Sequence, residues 1–150
     1  MPSPRMTEDE IWSFITDSHS GVMTTLRRDG SPVSLPLWFV CLDRQIYCRT
    51  RGKKLDRIRH DSRAAFLVEA GLKWGELKAV HLSGIAEIVD IDADLAQRFR
   101  EETALKYTGF RTANEDMPTE TAAHYRESMG GIVRFTPTGK ILNWDNAKLQ

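Results

Sequence analysis

The stretch IYCRTRGKKLDRIRHDSRAAFLVEA, residues 46–70, decides how the chain is read. It opens as a β-rich run and breaks at Gly52. A helix follows over about 53–60, with Leu55 and Ile58 as its inward pair, and a strand returns at Arg63–Glu69. Six of the fourteen residues from Tyr47 to His60 are Lys or Arg, and Asp56 is the one acid. Lys53 and Lys54 fall where a helix N-terminus already carries partial positive charge, a mildly unfavourable place for cations. A bound anion removes that repulsion. The glycine turn offers backbone N–H groups and Thr50 a hydroxyl. Arg49, Lys53 and Lys54 add charge-assisted bonds, about twice as strong as neutral ones. The pattern describes a phosphate site; on charge alone, a solvated basic face remains the alternative.

The run LPLWFV, residues 35–40, precedes it. It reads as a strand apolar on both faces, yet it contains Pro36. A fully buried strand loses a ladder bond at proline. An apolar strand whose backbone faces a planar ligand accepts it. The carbonyls and amides across Pro36, Leu37, Trp38, Phe39 and Val40 would then serve a heterocycle with alternating donors and acceptors, such as a flavin. A core strand at a barrel rim with an edge proline is the alternative.

Outward from these segments, Thr7-Glu8-Asp9-Glu10 is a capping box that opens a helix over residues 8–17. GVMTTLRR is a strand, Asp29-Gly30 a hairpin turn, and SPVSLPLWFVCL the return strand. Gln45–Thr50 follows the Asp43-Arg44 turn. Leu77–Val89 is a long strand with Gly84 at a bulge. Asp92 opens a helix to Tyr107 with Leu95, Ala96 and Phe99 inward, and Phe110–Pro118 is a loop. A helix over Glu120–Met129 and strands at Ile132–Phe135 and Ile141–Trp144 complete the reading. Five to seven closely spaced strands predict a mainly β chain with some α, an α+β antiparallel sheet or small barrel, as one domain over residues 1–150.

Lys and Arg number 21 and Asp and Glu number 21, so the net charge is zero and the basic cluster is local. That balance argues against a dedicated nucleic-acid binder. No apolar run is long enough to span a bilayer, and MPSPRMTEDE lacks a signal-peptide core, so the expected location is the cytoplasm without membrane association. Cys41 and Cys48 are expected as free thiols. There is no GxGxxG, P-loop or metal-ligand spacing, and no metal is expected. His19, His60, His81 and His124 are scattered. His81 is a candidate to line a pocket, against an ordinary satisfied histidine. Tyr107, Tyr125, Trp74 and Trp144 are candidates for the wall of a substrate cavity, against a role in the core.

In their order, GVMTTLRRDGSPVSLPLWFV, then IYCRTRGKKLDRIRHDSRAAFLVEA, then LKAVHLSGIAEIV resemble the flavin-binding split barrels of the pyridoxamine 5′-phosphate oxidase-like superfamily. The resemblance implies an antiparallel six-stranded split barrel with a few peripheral helices. It also implies a homodimer with two FMN sites at the subunit interface. In such barrels the strand matching Leu35–Val40 runs past the isoalloxazine ring. The strand end matching Tyr47 and Cys48 touches the cofactor, and the basic pair matching Lys53 and Lys54 holds the phosphate. Arg49 and Thr50 join by proximity. Leu35 stands where the oxidases carry arginine, Ala79 falls near a glutamine used on the flavin, and the C-terminal Arg-x-His segment is missing. The vitamin B6 oxidase activity is therefore not expected. The chain looks more like small relatives that bind FMN or the deazaflavin coenzyme F-420. The implied function is hydride transfer to or from a small organic substrate. An F-420-dependent reductase and a non-catalytic flavin carrier or sensor are the alternatives. A cofactor that carries the chemistry needs no protein nucleophile, and the sequence singles out no catalytic residue.

Overall fold

The computed structural model describes residues 1–127 and 130–150. The first element forms as its cap dictates. Thr7 Oγ1 accepts from Glu10 N at 3.2 Å while Glu10 Oε2 accepts from Thr7 N at 2.6 Å, and helix α1 runs Glu8–Asp17 with Ile11 and Ile15 buried. These reciprocal bonds satisfy two amides that a helix start otherwise leaves open.

The chain is mainly β, with a curled antiparallel sheet and a few helices. The strands are β1 (Gly21–Leu26), β2 (Pro32–Leu37), β3 (Val40–Leu42), β4 (Gln45–Arg51), β5 (Arg63–Ala70), β6 (Lys78–Val89), β7 (Gly130–Pro137) and β8 (Leu142–Asp145). Helix α2 (Lys53–His60) follows β4, α3 (Ala93–Tyr107) follows β6, and α4 (Thr119–Glu127) precedes β7. The expected end of α4 at Met129 lies outside the described residues. Strand order is β2-β1-β5-β6-β7-β4-β3, with β8 also on β6. Strand β6 is where the sheet divides. One edge pairs with β5; along the other, Lys78–His81 pair with β8 and Gly84–Val89 with β7.

Three expectations are corrected. SPVSLPLWFVCL is two strands, because the chain leaves the ladder at Trp38 and Phe39. That split gives eight strands among the described residues. Strand β2 is an edge strand, a placement its prolines allowed, but its apolar residues do not face a ligand on one side and a core on the other: Pro32, Ser34, Leu35 and Pro36 are all exposed. An edge tolerates proline, so Pro36, opposite Val22, needs no ligand to explain it. Gly84 is not at a bulge, since its register is continuous with both β5 and β7. It answers a close approach instead: a Cβ there would lie 2.2 Å from Thr136 O and 2.8 Å from Phe135 Cζ.

The inner face of the sheet holds Phe39, Ile46, Phe66, Val80, Leu82 and Phe135, with Ile15 of α1 and Leu55 and Ile58 of α2 packed on it. Each such side chain contributes about 1.5–3 kcal/mol on full burial. Along β4 the side chains alternate. Ile46, Cys48 and Thr50 face inward, while Tyr47 joins Val40 and Leu42 in a second cluster under Phe99 of α3. That outer cluster sets the distance between α3 and the β3–β4 hairpin, and so shapes what lies between them.

Candidate functional site

The strand break at Trp38–Phe39 is held from α3. Phe39 N donates to Tyr107 Oη at 2.8 Å, and the Tyr107 hydroxyl reaches both His19 O at 2.7 Å and Phe39 O at 2.9 Å. Lys106 Nζ donates to Phe39 O at 3.0 Å and sits 3.8 Å from the Phe39 ring centroid. Burial lowers the Lys106 ammonium to about 8. The freed Trp38 ring stacks on Tyr107 at 4.4 Å and 10°, with the Arg111 guanidinium 5.7 Å from the indole.

Between this corner, β4 and α3 lies a cavity of about 500 Å³. Trp38, Phe39, Val40, Tyr47, Cys48 and Arg49 form one wall. Phe99, Arg100, Thr103 and Tyr107 of α3 form the other, and Arg111 closes the end. Among the described residues three guanidiniums and no carboxylate line it. Cys48 is buried, and burial pushes its thiol up to about 12 against a smaller opposing effect of Lys54. It therefore stays protonated at neutral pH and offers no thiolate nucleophile.

The remaining predicted residues fall elsewhere. Leu37, Thr50 and Lys54 line a narrower pocket with Thr25, Leu35 and Arg57. Arg57 Nε donates there to Thr25 Oγ1 at 3.0 Å. Lys53 belongs to a third cleft with Arg27, Arg28 and His60. Pro36 lines none of the three. The first two pockets are neighbours along the chain, meeting between Leu37 and Trp38 and between Arg49 and Thr50.

Gly52, at φ 70°, makes the turn into α2 and supplies no side-chain cap, so the first amides of the helix lack that partner. Among the described residues neither Lys53 nor Lys54 makes an ion pair, and Asp56 is taken by Arg59 at 3.2 Å. The turn thus places the unpaired Lys53 and Lys54 in two pockets that are separate from the aromatic cavity and follow it along the chain. Such an arrangement suits a flat ring carrying an anionic tail.

Of the other candidates, Tyr107 lines the cavity, while Trp74 and Trp144 are exposed away from it. His81 lies on β6 between Leu67 and Leu142 and lines none of these pockets. The Tyr125 side chain lies outside the described residues. Sequence reasoning missed Arg100, Thr103 and Arg111. Arg100, Thr103 and Tyr107 are spaced i, i+3, i+7 on one helix face, a signal available in the sequence; Arg111 sits in a loop and has none. Among the described residues no group of three or more His, Cys, Asp or Glu gathers to hold a metal. No helix there is long and apolar enough to cross a membrane.

Comparison with known proteins follows the same lines. No match is found among curated proteins. Among solved structures, a conserved hypothetical protein of Mycobacterium tuberculosis is 28% identical, with a TM-score of 0.79 over 98% of this chain and 89% of that one. An FAD-binding protein of Mesorhizobium loti, 16% identical, gives a TM-score of 0.67 over 92% of this chain and 94% of that one. A haem storage protein of Vibrio cholerae, 11% identical, gives 0.67 over 92% and 94%. The last two show a shared fold. The family profile of pyridoxamine 5′-phosphate oxidase matches residues 7–128, and the chain belongs to that family.

Proposed function

We propose that the chain binds a flavin-type cofactor, FMN in the first reading, and works as an oxidoreductase that moves hydride to or from a small organic molecule. The observation that carries this is an aromatic cavity with no carboxylate among its described lining residues, whose Arg49 is one residue along β4 from the pocket of Thr50 and Lys54. The residues fit such a group. Trp38, stacked on Tyr107, and Tyr47 line the cavity that a flat ring would enter, while Lys54 and the uncapped start of α2 suit a phosphate. When bound, the cofactor supplies hydride exchange at its central ring. The chain's own part is to orient and enclose it. Tyr107 and Lys106 fix the Phe39 backbone, and the protonated Cys48 adds no competing nucleophile. Leu35, apolar at the second pocket, argues against the vitamin B6 oxidase activity itself.

The same cavity and turn also serve coenzyme F-420, and a relative named as FAD-binding supports the flavin class in general. A homodimer is part of the proposal. Pro36, Val22, Leu67, His81 and Leu142 stand directly opposite one another across β2, β1, β5, β6 and β8, on the face away from Met23, Phe66 and Leu82. Directly opposed residues share one face of a sheet. This row is half-buried or exposed, with Leu142 at 52% and Trp144 beside it at 42%. It starts at Pro36, next to the pocket residues Leu37 and Trp38, so a second copy seated there would border the cofactor site. Among the described residues, the shielded His81 Nδ1 has no hydrogen-bond partner.

The absorption spectrum of the purified protein, followed by titration with FMN and F-420, tests the reading. A yellow protein, or saturable binding of either compound, is expected. A colourless protein that binds neither would end it. Turnover of enones or quinones with the reduced cofactor separates an enzyme from a carrier, which binds without turning over.

A further inference from the structure

We infer that the cleft between the β1–β2 hairpin and α2 holds a second anionic group on the cofactor's tail, beyond the one at Lys54. This rests on the flavin reading of the neighbouring cavity. Lys53, Arg57 and His60 recur at helical spacing on one side of α2, and the hairpin brings Arg27 and Arg28 against them. Together with Leu26 and Asp56 they line a cleft of about 280 Å³.

The two acids nearest this cleft are already engaged by other groups. Asp29, at the hairpin tip, accepts from Ser31 N at 2.9 Å and from Ser31 Oγ at 2.6 Å. Those bonds hold its carboxyl below the usual range. Asp56 accepts from Arg59 at 3.2 Å. Among the described residues Arg27, Arg28, Lys53 and Arg57 make no ion pair, whereas Arg44, Arg63, Arg98 and Arg134 each have a carboxylate. In a chain of zero net charge this cleft keeps a basic excess, with three arginines and one lysine against Asp56.

The cleft borders the pocket of Thr50 and Lys54, with Arg57 lining both. FMN carries one phosphate, which the flavin reading assigns to Lys54. Arg28, Arg27, Lys53 and His60 then have no anion from FMN. A longer tail supplies one: the second phosphate of FAD's diphosphate, or the glutamyl carboxylates of F-420. The chemistry recognised is the same, a negatively charged oxygen group a short reach past the first.

Binding of FMN, FAD and F-420 to the unsubstituted protein and to Arg28→Glu, followed by fluorescence at fixed low salt, tests this. Arg28 is exposed at the hairpin, so its thermal midpoint should not move. Arg28→Glu is expected to weaken FAD or F-420 by about tenfold, as for loss of one charge-assisted bond, and FMN by less than about twofold. The cofactor that loses affinity identifies the tail as diphosphate or polycarboxylate. Equal losses for FMN and the longer cofactors, or no loss for any, would overturn the second-anion site. So would FMN binding without either longer cofactor, with the flavin reading left standing. If the unsubstituted protein binds none of the three, the flavin reading falls and this inference with it.

Discussion

At Phe39 the backbone leaves the sheet, and a side chain 68 residues away takes the place of a strand partner. Tyr107→Phe removes the acceptor for the Phe39 N–H and the donor shared by the Phe39 and His19 carbonyls. A buried group left without its partner costs about 1–3 kcal/mol, so urea unfolding should show a loss of that size. Lys106, beside it, gives a test with a definite sign. Its folded value, lowered to about 8 by burial, lies below the ordinary lysine value of 10.5. Between those values the unfolded chain binds the extra proton, so the lysine's contribution to stability rises with pH across that window. The stability of the unsubstituted protein relative to Lys106→Met should therefore increase from about pH 8 towards 10; a flat or falling difference would show Lys106 to be solvated. The sequence marked Tyr107 as a cavity wall. It did not show the strand break, because Trp38 and Phe39 look like any apolar β residues and their competitor for hydrogen bonding is far along the chain.

The elements whose signals are local came through with their boundaries. The capping box at Thr7 placed α1, and the glycine turn placed α2 at Lys53–His60. Periodicity was read correctly for β5 and β6. The prolines of β2 pointed to an edge, but the exposure of its apolar residues was not legible, because an apolar run does not say which side of a sheet it will occupy. Gly84 was seen but misread, since a bulge and a close backbone approach both ask for glycine. The distinction is testable. Gly84→Ala puts a methyl into Thr136 O on the neighbouring strand, and such overpacking costs about 1–3 kcal/mol. A calorimetric midpoint unchanged from the unsubstituted protein would mean that β6 and β7 are not so closely apposed.

For the whole molecule, the sheet presents one core face and one face on which apolar residues remain open to solvent. Leu142 and Trp144 stand on the second. If a second copy covers that face, Leu142→Arg should shift the protein from dimer to monomer in sedimentation without altering its circular dichroism, because an exposed position in the monomer carries little folding stability. A monomer before substitution would refute the dimer. The candidate site was legible in outline, because cations at a helix start and an apolar run are local features. Its division into a ring cavity and a separate cationic corner was not, since α3 supplies one wall from a distant segment. The most direct test of the central claim is the affinity of Lys54→Glu for FMN, measured against the unsubstituted protein. The account predicts that Lys54→Glu weakens binding by at least about tenfold with the fold intact; affinity equal to that of the unsubstituted protein would contradict it.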